Sequence, residues 1–188
     1  MIKLGYTKEE VLKITKFLPS IYSYNILTII TKIEEIMLLG YTKEETLTLT
    51  KTLPTIFSIT IENMQQKINY LIELGYTKEE VIAMSKILPA IYTYTNENIK
   101  NKKEFYESIG VSDFILYDTR QLMQSIDLSY ARYKYYQKND IDITIDNYRL
   151  LFISEERFFK RYNYTKNQLL KKYNYEKDKE KSKYVRTI

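Results

Sequence analysis

Apolar side chains fall at helical spacing over the first forty residues. Val11, Ile14 and Leu18 share one side of a predicted helix over 8–17. Ile26, Ile29, Ile30, Ile33, Ile36 and Met37 share one side of a second helix that starts after Asn25. Steps of three and four residues bring a side chain back to the same face at each turn. Between the two helices Leu18 precedes Pro19, a step that disfavours further helix, so SIYSY is predicted to turn. One stretch departs from this pattern: TLTLTKTL, 46–53, alternates apolar and polar as a strand would.

The departure is resolved by repetition. LGYTKEE occurs at 4–10, 39–45 and 74–80, and Leu-Pro at 18–19, 53–54 and 88–89, both with a period of 35. A period of this size is the mark of stacked helix pairs, a solenoid. Residues 46–53 are in phase with helical neighbours and are therefore predicted helical.

The heptapeptide is a joint between helices. The Thr7 hydroxyl can accept the Glu10 backbone N–H while the Glu10 carboxylate reaches back to the Thr7 N–H, a capping box. Thr42/Glu45 and Thr77/Glu80 repeat it. Tyr6 and Val11 form the hydrophobic staple, as do Tyr76 and Val81, whereas Thr46 weakens the second one. Gly40 and Gly75 end the preceding helices. Asn25, Thr60 and Thr95, again 35 apart, are N-caps of the second helices. Three copies of a carboxylate pair at three helix starts point to architecture rather than acid–base catalysis.

After Gly110 the period degrades. Phe105-Tyr106 and Tyr135-Tyr136 stand 30 apart, so the fourth repeat lacks five residues between its helices. A fifth unit, DITIDNYRLLFISEERFFKRY, is shorter, and YTKNQLL at 164–170 restates the joint with Thr165 and Gln168. The expected architecture is an all-α solenoid over 1–162, with repeats at about 4–38, 39–73, 74–108, 109–138 and 139–162. A basic C-terminal helix and tail over 163–188 complete it.

Composition then removes whole classes of function. Cysteine and histidine are both absent. Disulfides, thiolate nucleophiles, Cys/His zinc sites and imidazole bases are excluded. The four glycines fall mainly at helix ends, leaving no Gly-rich phosphate loop. We therefore expect no enzyme, no catalytic residue, no cofactor and no metal site. Asp140, Asp142 and Asp146 are read as solubility and capping residues of a polar loop.

Charge is unevenly distributed. Residues 1–110 hold 13 Lys and 13 Glu; 111–156 hold five basic and eight acidic groups; 157–188 hold eleven basic and three acidic. A basic end with interleaved tyrosines suggests a polyanionic partner. Repeat spacing adds a column of cations, Lys32, Lys67, Lys102 and Arg132, each about two turns into a second helix. Cations at a regular rise can follow a phosphate backbone. A second column, Lys16, Lys51 and Lys86, stops at Gln121. Lys100 and Lys103 add charge to the third repeat, and Arg157, Lys160, Arg161, Lys171 and Lys172 lie beside Phe158, Phe159, Tyr162, Tyr164 and Tyr173. Cations with aromatics suit phosphate contact and base stacking, but for Phe158 and Phe159 the expected role is core, packing the last helix onto the stack.

These strings carry a family likeness. LGYTKEEVIAMSKILPAIYTYTNENIKNKKEFYESIGV resembles the repeat of the mTERF (mitochondrial transcription termination factor) family in its LG-x-[ST]-x-EE opening, its mid-repeat proline and its ENIK…KEFY second helix. YARYKYYQKNDIDI…LLFISEERFFKRY is similar to that family's closing repeats. The likeness covers about residues 4–162. It implies two α-helices plus a short 3₁₀ turn per repeat, and binding of double-stranded DNA or RNA along a basic concave surface in gene expression.

The leading expectation is thus a nucleic-acid-binding repeat protein, duplex DNA favoured and RNA the alternative, working as a monomer. A protein-binding solenoid adaptor is the competing class, favoured by the balanced charge of 1–110. No apolar run is long enough for a membrane span. With the first repeat beginning at Leu4, no targeting segment is expected. A bacterial cytoplasm, or an organelle matrix for a trimmed form, is the expected location.

Overall fold

The computed structural model describes residues 1–111, 118, 120–176 and 178. Among them every regular element is helical. The chain divides into two compact units, Met1–Asn96 and Glu97–Ile188.

The first unit follows the predicted joints. Helices α1 (Lys8–Phe17), α3 (Lys43–Thr52) and α5 (Lys78–Ile87) alternate with α2 (Ile26–Leu38) and α4 (Ile61–Glu73). Each of α1, α3 and α5 runs into a five-residue 3₁₀ turn that opens on proline: Pro19–Ser23, Pro54–Ser58 and Pro89–Thr93. Thr7, Thr42 and Thr77 each form the complete capping box with Glu10, Glu45 and Glu80. Asn25 and Thr60 cap α2 and α4 as expected. The alternating segment 46–53 is helical through Thr52, since Thr46, Leu49 and Thr50 are the residues it buries. Its hydroxyls bond backward within the helix, Thr46 to the Thr42 carbonyl and Thr50 to that of Thr46.

Helix exit needs a left-handed residue. At Gly75 (φ +102°) the chain turns so that the Tyr76 N–H reaches back to the Leu71 carbonyl at 3.3 Å, the six-to-one bond of a Schellman ending. In the second unit Asp140 takes this place. It lies 30 beyond Gly110, has φ 56°, and is followed by Ile141 donating to Tyr136 at 2.9 Å. Asp tolerates the left-handed region better than most residues, so this aspartate is a joint residue.

The second unit holds α6 (Asn96–Ser108, its first residue on the boundary), α7 (Arg120–Met123), α8 (Ile126–Lys138), a 3₁₀ turn at Tyr148–Phe152, α9 (Glu155–Tyr162) and α10 (Lys166–Lys172). The Ser125 hydroxyl caps α8, 30 residues after Thr95. Counting back by the same 30, α7 stands where earlier repeats have their 3₁₀ turn. The five-residue loss expected between the helices of this repeat involves 112–117 and 119, outside the described residues. Helix α10 packs on α8, with Tyr106, Tyr136, Leu151, Phe158 and Leu169 in one core. Phe158 is buried against Tyr135, Tyr136 and Tyr162, whereas Phe159 is 48% exposed. The aromatic pair therefore splits between core and surface.

Candidate nucleic-acid interface

The expected phosphate-facing column is corrected by the geometry. Lys67, Lys102 and Arg132 are 8%, 4% and 2% exposed, and the head groups of all four cations meet backbone carbonyls. Lys32 donates to the Ile59 carbonyl and Lys67 to that of Tyr94 at 2.7 Å, each 27 residues on. Lys67 also donates to the Asn96 side-chain oxygen. Lys102 donates to the Leu122 carbonyl, and Arg132 to that of Leu151 at 2.8 Å, with its guanidinium over the Phe158 ring. Ile59 and Tyr94 end 3₁₀ turns. Their carbonyls have no place in a ladder and need a donor. The column therefore fastens turn to helix, which is why it keeps a cation while its neighbours vary.

Burial sets the chemistry of these groups. Desolvation lowers the pKa of Lys32 and Lys67, and brings that of Lys102 down to about 8. Charged forms lose hydration in such a seam. No phosphate role is needed to account for this column.

The second column is partly occupied as well. Lys51 pairs with Glu10 at 3.0 Å and Lys86 with Glu45 at 2.8 Å, each 41 residues back. The capping carboxylate thus serves both its own helix start and the next repeat. Backbone donation from Thr7 is the first cause that holds the Glu10 carboxyl low, with Lys51 next; for Glu45 Lys86 comes first. Gln121, where the column ends, is buried.

Sequence reasoning missed a hydroxyl link between repeats. Tyr6 and Tyr41, expected as staples, are buried and send their hydroxyls forward 44 residues. Tyr6 meets Thr50 at 2.7 Å, and Tyr41 meets Ser85 at 2.5 Å and also Tyr92. The signal was present in the shared period of Tyr6/Tyr41 and Thr50/Ser85.

The remaining candidate cations lie at the surface. Lys100 and Lys103 sit beside Glu104 and Glu107 one helical turn on, Lys100 at 3.8 Å. From 157 to 173 the sequence holds six basic and no acidic residues. These six, Arg157, Lys160, Arg161, Lys166, Lys171 and Lys172, are all exposed on α9 and α10. Lys166 pairs with Glu155 at 3.2 Å. Lys172 donates to the Tyr164 hydroxyl at 2.9 Å and lies over the Tyr164 and Tyr173 rings. Arg161 stacks on Tyr162. Exposed Phe159 adds an apolar ring to the same short helix. Each of these two short helices carries exposed cations, with an arginine or lysine over a tyrosine ring. Among the described residues no group of three or more carboxylates is placed to hold a metal ion, and no helix is long and apolar enough to cross a membrane.

Prolines opening 3₁₀ turns, capped helix pairs and a period of 35 define an all-α helix-pair repeat protein of the solenoid class. The mTERF family model matches residues 1–158, and the chain belongs to that family. A comparison with curated proteins found no match.

Proposed function

We propose that this chain binds nucleic acid, duplex DNA by preference, through the cationic surface of α9 and α10, in a role in transcription or its termination. The observation that carries this is the run of exposed cations between 157 and 173, Arg157, Lys160, Arg161, Lys171 and Lys172, with no acidic residue in the run; Lys166, in the same run, pairs with Glu155. Lysine and arginine that neutralise phosphates release counterions, and that release drives sequence-independent binding. Arg157 and Arg161 offer planar forks that can grip a phosphate with two donors. Exposed Phe159 lies on the same helix as the two arginines, and Tyr164 and Tyr173 lie under Lys172. Lys100 and Lys103 are secondary contacts in this reading, because each has a carboxylate neighbour. Membership of the mTERF family supports the same reading. The buried column of Lys32, Lys67, Lys102 and Arg132 has no part in it.

The test is fluorescence anisotropy with duplex DNA, duplex RNA and single strands, each over a salt series. Binding strongest to duplex DNA and falling steeply with salt is expected. Equal or tighter binding to RNA would move the proposal to RNA. No binding to any of them at low salt would overturn it and leave a protein ligand, the reading favoured by the balanced charge of residues 1–110.

A further inference from the structure

A hollow between α6 and α8, within the second unit, has walls that suit one kind of ligand. Phe105 on α6 meets Tyr130, Tyr133 and Tyr175 at ring-centroid distances of 6.1, 6.1 and 6.4 Å. Tyr130 in turn meets Tyr175 at 5.4 Å. Interplanar angles of 63° to 82° set these rings edge to face, as walls rather than as a stack. They line an open hollow of about 600 Å³, within the size range of small-ligand sites. Phe105 is buried, and the three tyrosines are half-buried.

Acid outweighs base around the rings. Among the described residues, Glu104 and Asp178 line the hollow against one lysine, Lys134. Asp178 accepts the Tyr130 hydroxyl at 2.6 Å, and Glu104 keeps a loose pair with Lys100 at 3.8 Å. Burial first, then the carboxylates of Glu176, Glu104 and Asp127, pushes the Tyr175 phenol up. The chain as a whole has a formal net charge of +5, so the excess of acid is local to this site. One cation already marks the rings. The Lys134 ammonium lies 5.8 Å from the Tyr130 centroid and 5.9 Å from that of Tyr133. Those distances stand at the outer limit of cation–π attraction, about 6 Å.

We infer that this hollow binds a methylated ammonium group, carried by a choline-type molecule or by a methylated lysine side chain. A primary ammonium brings three N–H donors that each need an acceptor, and the walls here are chiefly rings. A trimethylammonium has no donor to satisfy and spreads its charge over its methyl groups. Ring faces attract such a cation, while Asp178 and Glu104 supply the opposing charge. The volume leaves room for the chain that carries the head group. The hollow shares no lining residue with the cations of α9 and α10, so the inference is independent of nucleic-acid binding.

The test is an NMR titration of the full chain with four probes. Two are choline and the amide of N-acetyl-trimethyllysine. The controls are the unmethylated lysine amide and the neutral alcohol in which carbon replaces the nitrogen of choline. Both methylated probes are expected to saturate with dissociation constants of about 1 mM or tighter. Their methyl signals should move upfield under the ring currents of the tyrosines. The tighter of the two assigns the source, small molecule or modified side chain. Tyr175→Leu keeps an apolar wall but removes a ring face, and is expected to weaken binding by about fivefold. Lys134→Gln takes the resident ammonium off the rings and is expected to tighten binding. Amide spectra of both variants check that they remain folded. No saturable shift with either methylated probe overturns the inference, as does equal binding of the neutral alcohol or of the unmethylated amide. Weaker binding by the folded Lys134→Gln variant overturns it too, because a cationic ligand gains from the loss of that charge.

Discussion

The ammonium group of Lys67 donates to the backbone carbonyl of Tyr94 at 2.7 Å, 27 residues further along the chain. This places a cation inside the repeat rather than on it. Lys67→Met leaves that carbonyl without its donor, and a buried acceptor so abandoned costs about 1–3 kcal/mol. Urea unfolding should show a loss of this order, while anisotropy at fixed salt should show duplex affinity unchanged. A drop in affinity with stability intact would restore the column to the ligand surface.

The capping boxes offer a second check. The Thr42 hydroxyl accepts the Glu45 backbone N–H at 3.2 Å. Thr42→Ala should lower the unfolding free energy by about 1 kcal/mol. Lys86→Ala removes only a half-exposed ion pair to Glu45 and should cost less than about 1 kcal/mol. Denaturation midpoints in the reverse order would show that the pair, not the cap, holds this joint.

Stability should depend on pH in two opposed ways. Lys102 titrates at about 8 in the folded chain, against an ordinary 10.5. Between those values the unfolded chain binds the extra proton, so stability rises with pH. Burial raises the Tyr6 phenol to about 12, and pushes up Tyr41, Tyr106 and Tyr136 too. A raised phenol pKa contributes stability below its unfolded value of about 10, and that stability is lost as the unfolded state ionises above it. Thermal midpoints should climb from pH 8 and fall above about pH 10. Lys102→Met should abolish part of the climb and leave the fall.

Salt dependence distinguishes the two kinds of cation. Lys160→Ala and Lys171→Ala should each reduce the slope of log affinity against log salt by about one. Lys32→Ala should leave the slope alone. If Lys32→Ala flattens it as much as Lys160→Ala does, the surface on α9 and α10 is not the binding site.

The helices and their joints were legible because period and capping are local properties. Thr7 with Glu10 and Leu18 with Pro19 state their own geometry, and three copies outvoted the strand-like 46–53. The cation column was legible as a column but not in its direction. Spacing places Lys32, Lys67, Lys102 and Arg132 on one side of successive helices; it does not say whether that side meets solvent or the next turn. Asp140 was hidden for a related reason. Its left-handed backbone is set by the 30-residue step after Gly110, and an aspartate in a polar loop carries no mark of that. Arg157, Lys160, Arg161, Lys171 and Lys172 were legible as candidates because they crowd a basic end beside aromatic residues, whereas Lys166 was not singled out.

The links between repeats in the first unit all point to immediate neighbours: 27 residues forward from a lysine, 44 forward from a tyrosine, 41 back from a lysine. No repeat contains both halves of any one link. Opening one repeat therefore strands a carbonyl, a hydroxyl or a carboxylate on the repeat beside it. Fraying from an end breaks one set of these links per repeat, whereas opening an interior repeat breaks two. A chain wired this way resists partial loss, and a disruption at one joint is felt at the next.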